Sequence, residues 1–314
     1  MRIVSLLPST TEIVTALGKK DDLVGRSHEC NYPDEINNLP TCTEPKFNPD
    51  GTSYKIDQRV KALLQEGLSI YRVDEEQLKT LNPDIILTQD HCKVCAASFD
   101  EVQEAVQSTL GANVEVVSVS PTDLSSWVHS IRTIAEAIDA EEAAEELTQR
   151  MKSELQEIQN KTIELTPPNV LSIEWMDPLM TAGNWIPELV QIAGGIPVGS
   201  ESGAHSPEIS WQKIQRLNPD IITVIPCGYS VSQTLSEIST LTSRNGWSQL
   251  NAVQNKQVYI ADGDHYFNRP GPRLVDSARI LAEIIHPSLF RKEEHPEWIN
   301  MATHQFQQKV TSSL

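Results

Sequence analysis

The hexapeptide Leu-Asn-Pro-Asp-Ile-Ile occurs twice, at residues 81–86 and again at 217–222. Six matching residues alone constrain little, but their surroundings recur in the same order. Leu171, Ser172 and Ile173 echo Val4, Ser5 and Leu6 in type, and residues 187–194 echo residues 11–18, each run closing on a glycine. Residues 257–260 match 114–117 in kind and order. A chain that repeats one succession of strand, helix, Asn-Pro turn and strand is built from two copies of a single supersecondary unit. Strands alternating with helices make a mainly parallel sheet covered by helices. The expected fold class is therefore α/β: two similar doubly wound lobes with mainly parallel sheets.

Between the copies the period changes. Leu124, Trp127, Val128, Ile131, Ile134, Ala135 and Ile138 keep helical spacing, and Ala144, Leu147, Met151, Leu155 and Ile158 continue it. Asp139, Ala140 and Glu141 interrupt the pattern, so it reads as one long interdomain helix or two consecutive ones, ending at Pro167 and Pro168. The expected division is an N-terminal lobe 1–120, a connecting helix 121–165, a C-terminal lobe 166–286 and a tail 287–314 with a weak helix near 298–306. Within the first lobe, Ser9 or Thr10 reads as the cap of a helix over 11–17. Helices are expected over 57–66, 74–81 and 98–110, a strand over 84–87, and irregular chain over 34–56. Two lobes joined this way leave a ligand cleft between them, and open α/β sheets bind ligands outside the carboxyl ends of their strands.

That rule selects the residues that follow each strand. The candidate ligand contacts it gives are Ser9, Thr10, His28, Tyr32, Gln89, Glu174, Trp175, His265, Tyr266 and Phe267, and Arg269 just beyond them is a candidate partner for an anionic ligand group. The same loops carry soft donors: His28, Cys30, His91, Cys92, Cys95, Cys227 and His265. Thiolate and imidazole favour zinc or another soft metal over magnesium or calcium. The pair Cys92 and Cys95 has Cys-x-x-Cys spacing, and a closed zinc site needs two more ligands, for which His28 and Cys30 are the natural candidates, with Cys227 from the other lobe. Small buried side chains at a tight turn explain the pair equally well. A thiol enzyme would use Cys30 or Cys92 as nucleophile with His28 or His91 as base. Thr10 and Thr11 serve either as caps or as donors at a helix start.

Charge and processing signals narrow the partners. The 314 residues carry 43 acidic against 25 basic side chains, a formal charge of −18. Such a surface repels phosphate backbones and anionic membranes, so no nucleic acid is expected as partner. No run approaches the roughly 18 apolar residues of a membrane span, so no membrane insertion is expected. Residues 1–7 read as the first strand rather than as a secretory leader, which places the protein in the cytoplasm, or in the periplasm or outside the cell if a leader was removed. Five cysteines match no disulfide framework. Motifs for nucleotide phosphates, zinc proteases and serine hydrolases do not occur.

The segments Ser5 to Glu12, Leu81 to Ile86, Met176 to Gly183 and Asp264 to Arg273 together resemble the solute-binding proteins of ABC importers for vitamin B12 and iron complexes. The resemblance covers residues 1–286. It implies two lobes joined by one rigid helix, clamping a corrinoid or another metal chelate between them, with cobalamin as the possible ligand and an ABC permease as partner if the protein is exported. Vitamin B12 binders line their cleft with aromatic side chains, and Tyr32, Trp175, Trp185, Tyr266 and Phe267 are the residues here that supply such faces. Two functions follow: a binding protein without enzymatic activity, or a cytosolic metal- or thiol-dependent enzyme using the His/Cys cluster.

Overall fold

The repeated hexapeptide makes the same turn twice. In a computed structural model, which describes residues 1–66, 69–89, 102–106, 114–290 and 297–303, Asn82 and Asn218 each close a short helix in the left-handed region, at φ 43° and 40°. Asparagine tolerates this conformation, and the following proline cannot continue the helix. The aspartate then ties the incoming strand to the first strand of its own copy. Asp84 Oδ2 accepts the Arg2 N–H at 2.7 Å, and Asp220 Oδ2 accepts the Asn169 N–H at 2.9 Å.

The chain forms two compact units. The first takes in Met1–Gly51, Lys55–Met151 and Pro270–Pro272; the second takes in Thr52–Tyr54, Lys152–Arg269 and Arg273–Leu314, in so far as these are described. In the first unit the strands are β1 (Ile3–Ser5), β2 (Leu23–Arg26), β3 (Thr43–Pro45), β4 (Tyr71–Val73), β5 (Ile85–Gln89) and β6 (Glu115–Val119). The main sheet has the order β2-β1-β5-β6 and every pairing in it is parallel. The order reverses between β1 and β5, which makes a switch point. On one face Val4, Leu6, Ile70, Leu78, Ile86 and Val102 form a core. The helices Pro8–Ala16 and Leu124–Ala137 pack on each other. β3 and β4 form a separate antiparallel ribbon in which Pro45 faces Tyr71 and Thr43 faces Val73.

The second unit holds β7 (Asn169–Met176), β8 (Leu179–Thr181), β9 (Ile196–Pro197), β10 (Ile221–Val224), β11 (Val258–Ala261) and β12 (Trp298–Asn300). Its parallel pairings follow β9-β7-β10-β11, the same winding as the first sheet. β8 and β12 add antiparallel pairings. The helix Leu274–Ile285 packs on Ile186–Ile192.

The segment between the copies is two helices, Leu124–Ala137 and Glu141–Thr162, broken at Asp139 with φ 53°. Asp123 starts the first with a reciprocal capping box to Ser126.

Several local expectations change. The first helix begins at Pro8, with Leu7 as a cap that uses no side chain. Proline suits a first helical turn, where its missing N–H costs nothing. Ser9 and Thr10 are therefore inside the helix and do not cap it. The helix expected over 57–66 spans Ser53–Gln65, beginning four residues earlier, within the end of the stretch read as irregular. Of the weak helix expected near 298–306, Trp298–Asn300 form a strand instead and helix begins only at residues 301–303, the rest lying outside the described residues. Trp298 is buried, its Nε1–H bonds Glu283 at 2.9 Å, and its ring meets Tyr259 edge-on at 5.5 Å. Pairing on β11 outweighs local helical spacing there.

Candidate functional site

In the first unit the carboxyl end of β1 is filled by a hydroxyl network. Ser5 Oγ lies 2.6 Å from Thr10 Oγ1 and accepts from Thr11 Oγ1 at 2.7 Å. Thr11 also reaches Cys30 Sγ at 3.1 Å. Ser9, Thr10, Cys30 and Gln89 are all buried. These four residues stand at strand ends, as the topology required, and the structure uses their side chains beneath the surface.

The turn after β2 carries the exposed chemistry. Arg26 Nη1 donates to the Ser27 carbonyl at 3.1 Å and to the Cys30 carbonyl at 2.8 Å, which fixes the turn's shape. His28 stands on it with a quarter of its side chain exposed. Its Nδ1 lies 2.8 Å from Thr43 Oγ1, and its ring lies 5.2 Å from that of Tyr71. Tyr71 donates its hydroxyl to Glu29 Oε1 at 2.7 Å. Burial is the main reason the imidazole sits below its ordinary pKa, so His28 is neutral at neutral pH. Tyr32, 44% exposed, presents an aromatic face nearby in the chain.

Thr43 and Tyr71 were not singled out from the sequence. They come to His28 from the β3–β4 ribbon, whose three-residue strands are too short to show a period.

The second unit presents two groups at its strand ends. After β7, Trp175 meets Tyr229 edge-on at 5.4 Å, and Trp175 Nε1–H bonds the Asp177 carbonyl at 3.1 Å. Tyr229 donates to Glu237 at 3.1 Å, and burial and then the Glu237 charge push its phenol well above the ordinary value. Glu174 accepts the Ser206 hydroxyl at 2.8 Å. After β11, Asp262 accepts the backbone N–H groups of Asp264 and His265 at 3.0 and 2.9 Å. His265 Nδ1 sits 3.0 Å from Asp262 Oδ2, and Arg269 bonds Asp264 at 2.6 Å. The hydrogen bond to Asp262 holds the His265 pKa above its ordinary value. Burial opposes ionisation of Asp262, but the His265 hydrogen bonds prevail and hold its carboxyl below the usual range. Gly263 makes this turn possible, because a Cβ there would run into the Pro226 carbonyl. An Asp one residue before a Gly-Asp-His run is a readable turn signal that sequence reasoning passed over.

Phe267 and Trp185 lie inside the second unit. Phe267 is 0% and Trp185 5% exposed, and Trp185 Nε1–H bonds the Phe267 carbonyl at 2.9 Å. Arg269 is also buried. Tyr266 remains half-buried, with Arg273 over its ring at 5.4 Å.

The proposed metal set is not brought together where it is described. Cys30 is buried beneath Thr11, and Cys227 is exposed on the second unit. Cys92, Cys95 and His91 lie outside the described residues. Among the described residues no three His, Cys, Asp or Glu side chains are grouped to hold a metal ion. The nucleophile reading also weakens, since His28 turns its Nδ1 to Thr43 while the Cys30 thiol is engaged by Thr11.

The chain is 29% identical to an uncharacterised ABC transporter substrate-binding lipoprotein of Bacillus subtilis, over 93% of this chain and 82% of that protein. It is 21% identical to a vitamin B12-binding protein of Yersinia pseudotuberculosis, over 90% of this chain and 85% of that one. Its fold matches the periplasmic haem-binding protein of Roseiflexus sp. RS-1 with a TM-score of 0.67 at 20% identity, covering 92% of this chain and 98% of that one.

These relatives correct the cytoplasmic placement. One is a lipoprotein and another is periplasmic, and neither is described as cytoplasmic. That Ile3–Ser5 is a core strand describes the folded unit and carries no information about a leader. Among the described residues no helix is long and apolar enough to cross a membrane. A family model described as a periplasmic binding protein matches residues 3–265, and the chain belongs to that family.

Proposed function

We propose that this protein is the substrate-binding component of an ABC importer, carrying a metal chelate of the corrinoid, haem or iron-complex class outside the cytoplasmic membrane and delivering it to a permease. The observation that carries this reading is kinship along nine-tenths of the chain with substrate-binding and vitamin B12-binding proteins. The strand-end loops support it. A planar chelate is bound by aromatic faces around a few placed polar groups. Tyr32 and His28 offer these on the first unit; Trp175, Tyr229 and Tyr266 offer them on the second, with the His265 imidazole held by Asp262. The enzyme reading has no comparable support, because the family is one of binding proteins.

The test is a ligand panel on the purified protein: cyanocobalamin, aquocobinamide, ferric protoporphyrin IX and a ferric trihydroxamate, followed by visible spectrum and melting temperature. A ligand present at 100 times its Kd stabilises the native state by about 2.7 kcal/mol, which is readily seen as a rise in melting temperature. A rise with at least one chelate is expected. No shift with any of them at tens of micromolar would overturn the proposal.

A further inference from the structure

The His28 ring has one nitrogen committed and the other open. Thr43 Oγ1 owns a single proton, and it donates that proton to Ser27 Oγ at 3.0 Å. The Thr43 oxygen is left to accept, from the His28 backbone N–H at 3.2 Å and from the ring at Nδ1, 2.8 Å away. Nδ1 therefore carries the ring proton, and the lone pair lies on Nε2. Among the described residues Nε2 makes no hydrogen bond. Glu29 Oε1 approaches it only to 4.0 Å, and that oxygen takes the Tyr71 hydroxyl instead. The ring cannot swing freely, because Thr43 holds one edge and Tyr71 packs against it at 52°.

A partly exposed imidazole that only packs can leave its second nitrogen to water. This one fixes its tautomer through the nitrogen distal to the open side, which is how ligating histidines are oriented by a neighbouring acceptor. The Glu29 carboxylate nearby suits a cationic centre.

We propose that His28 Nε2 is an axial ligand to the metal of the bound chelate, with Thr43 as its positioning residue. This deepens the metal-chelate reading and rests on it. The bond formed is Nε2–metal; the bond broken is metal–water at the axial position. The nitrogen supplies both electrons, Nδ1 keeps its proton, and the oxidation state of the metal does not change. The site therefore takes chelates with an exchangeable axial position, such as a haem or a corrinoid lacking its lower base. It gains nothing from a hexadentate iron complex whose coordination is closed.

The experiment compares the wild type with His28→Gln and Thr43→Val, using ferric protoporphyrin IX and aquocobinamide as open probes and a ferric trihydroxamate as the closed one. Circular dichroism and melting temperature establish that each variant is folded. For the wild type, at least one open probe acquires the visible spectrum of its imidazole adduct. In His28→Gln that spectrum is lost and free imidazole restores it. Thr43→Val keeps the adduct but weakens binding about 10–100-fold, the usual effect of removing the partner that orients a ligating histidine. Identical spectra in wild type and His28→Gln would overturn the ligation while leaving the chelate reading intact, as would tight binding of the closed probe alone. Binding of no probe by the wild type would overturn both.

Discussion

Replacing Phe267 by alanine tests whether this aromatic belongs to the core or to the ligand. The ring is 0% exposed, and its backbone carbonyl is held by the indole of Trp185. Removing a buried phenyl group loses its transfer free energy and leaves a cavity, together about 3–5 kcal/mol. For a body of about 150–250 residues each kcal/mol moves the melting point by about 2–4 °C, so the transition of the second unit falls by about 6–20 °C. Phe267→Leu leaves a smaller cavity and falls by less. The assay is thermal and urea unfolding followed by tryptophan fluorescence, paired with chelate titration at a temperature where the variant is still folded. The account predicts a large loss of stability with affinity within a few-fold of wild type. A loss below about 1 kcal/mol, with affinity reduced a hundredfold, would refute it and return Phe267 to the ligand surface.

Three further outcomes follow from the geometry. Asp220 accepts from Asn169 N–H and from Asn251 Nδ2, whereas Asp84 accepts the Arg2 N–H from an exposed position; Asp220→Ala is expected to cost about 2 kcal/mol and Asp84→Ala about 1 in urea unfolding. His265 is held above its ordinary pKa by Asp262, so its contribution to stability is full below about pH 6.5 and fades as pH rises through its folded value; the stability difference between wild type and His265→Ala should shrink from pH 6 to pH 8.5, and a difference that grows would contradict the pairing. Burial, with Asp74 adding to it, pushes the Cys42 thiol up to about 12 while Cys227 is exposed, so iodoacetamide at pH 8 should label Cys227 and spare Cys42 in the native protein, as read by peptide mass mapping.

The parts of the fold that were legible in the sequence are those decided locally. The Asn-Pro-Asp turn needs only its own residues to end a helix and start a strand, and so its repetition exposed the duplicated architecture. Helical spacing from Leu124 onward was equally visible, and the break near Asp139 showed as a loss of period. The failures share a different cause. His28 depends on Thr43, fifteen residues away, and on Tyr71, both delivered by a ribbon with no sequence signature. Phe267 looked like a ligand contact because a strand-end loop holds it, and Trp185 because the resemblance calls for aromatic faces, yet which side chains turn inward is set by tertiary packing. Trp298 joined a sheet whose neighbouring strand lies about forty residues earlier, which no local window contains.

The same limit explains the two strand-end groups of the second unit. Trp175 was visible as an aromatic after a strand, but its partner Tyr229 follows a different strand, and only the adjacency of β7 and β10 brings them together. Asp262 and His265 are close in sequence, and there the turn chemistry was available to be read.

The central claim is that this chain binds one metal chelate. Isothermal titration of the purified protein with ferric protoporphyrin IX and with aquocobinamide tests it most directly. The account predicts saturable binding of at least one of them at one ligand per chain, with Kd near or below about 1 μM, or roughly −8 kcal/mol. Absence of saturable heat for both, in protein shown to be folded and free of ligand by mass spectrometry, would contradict it.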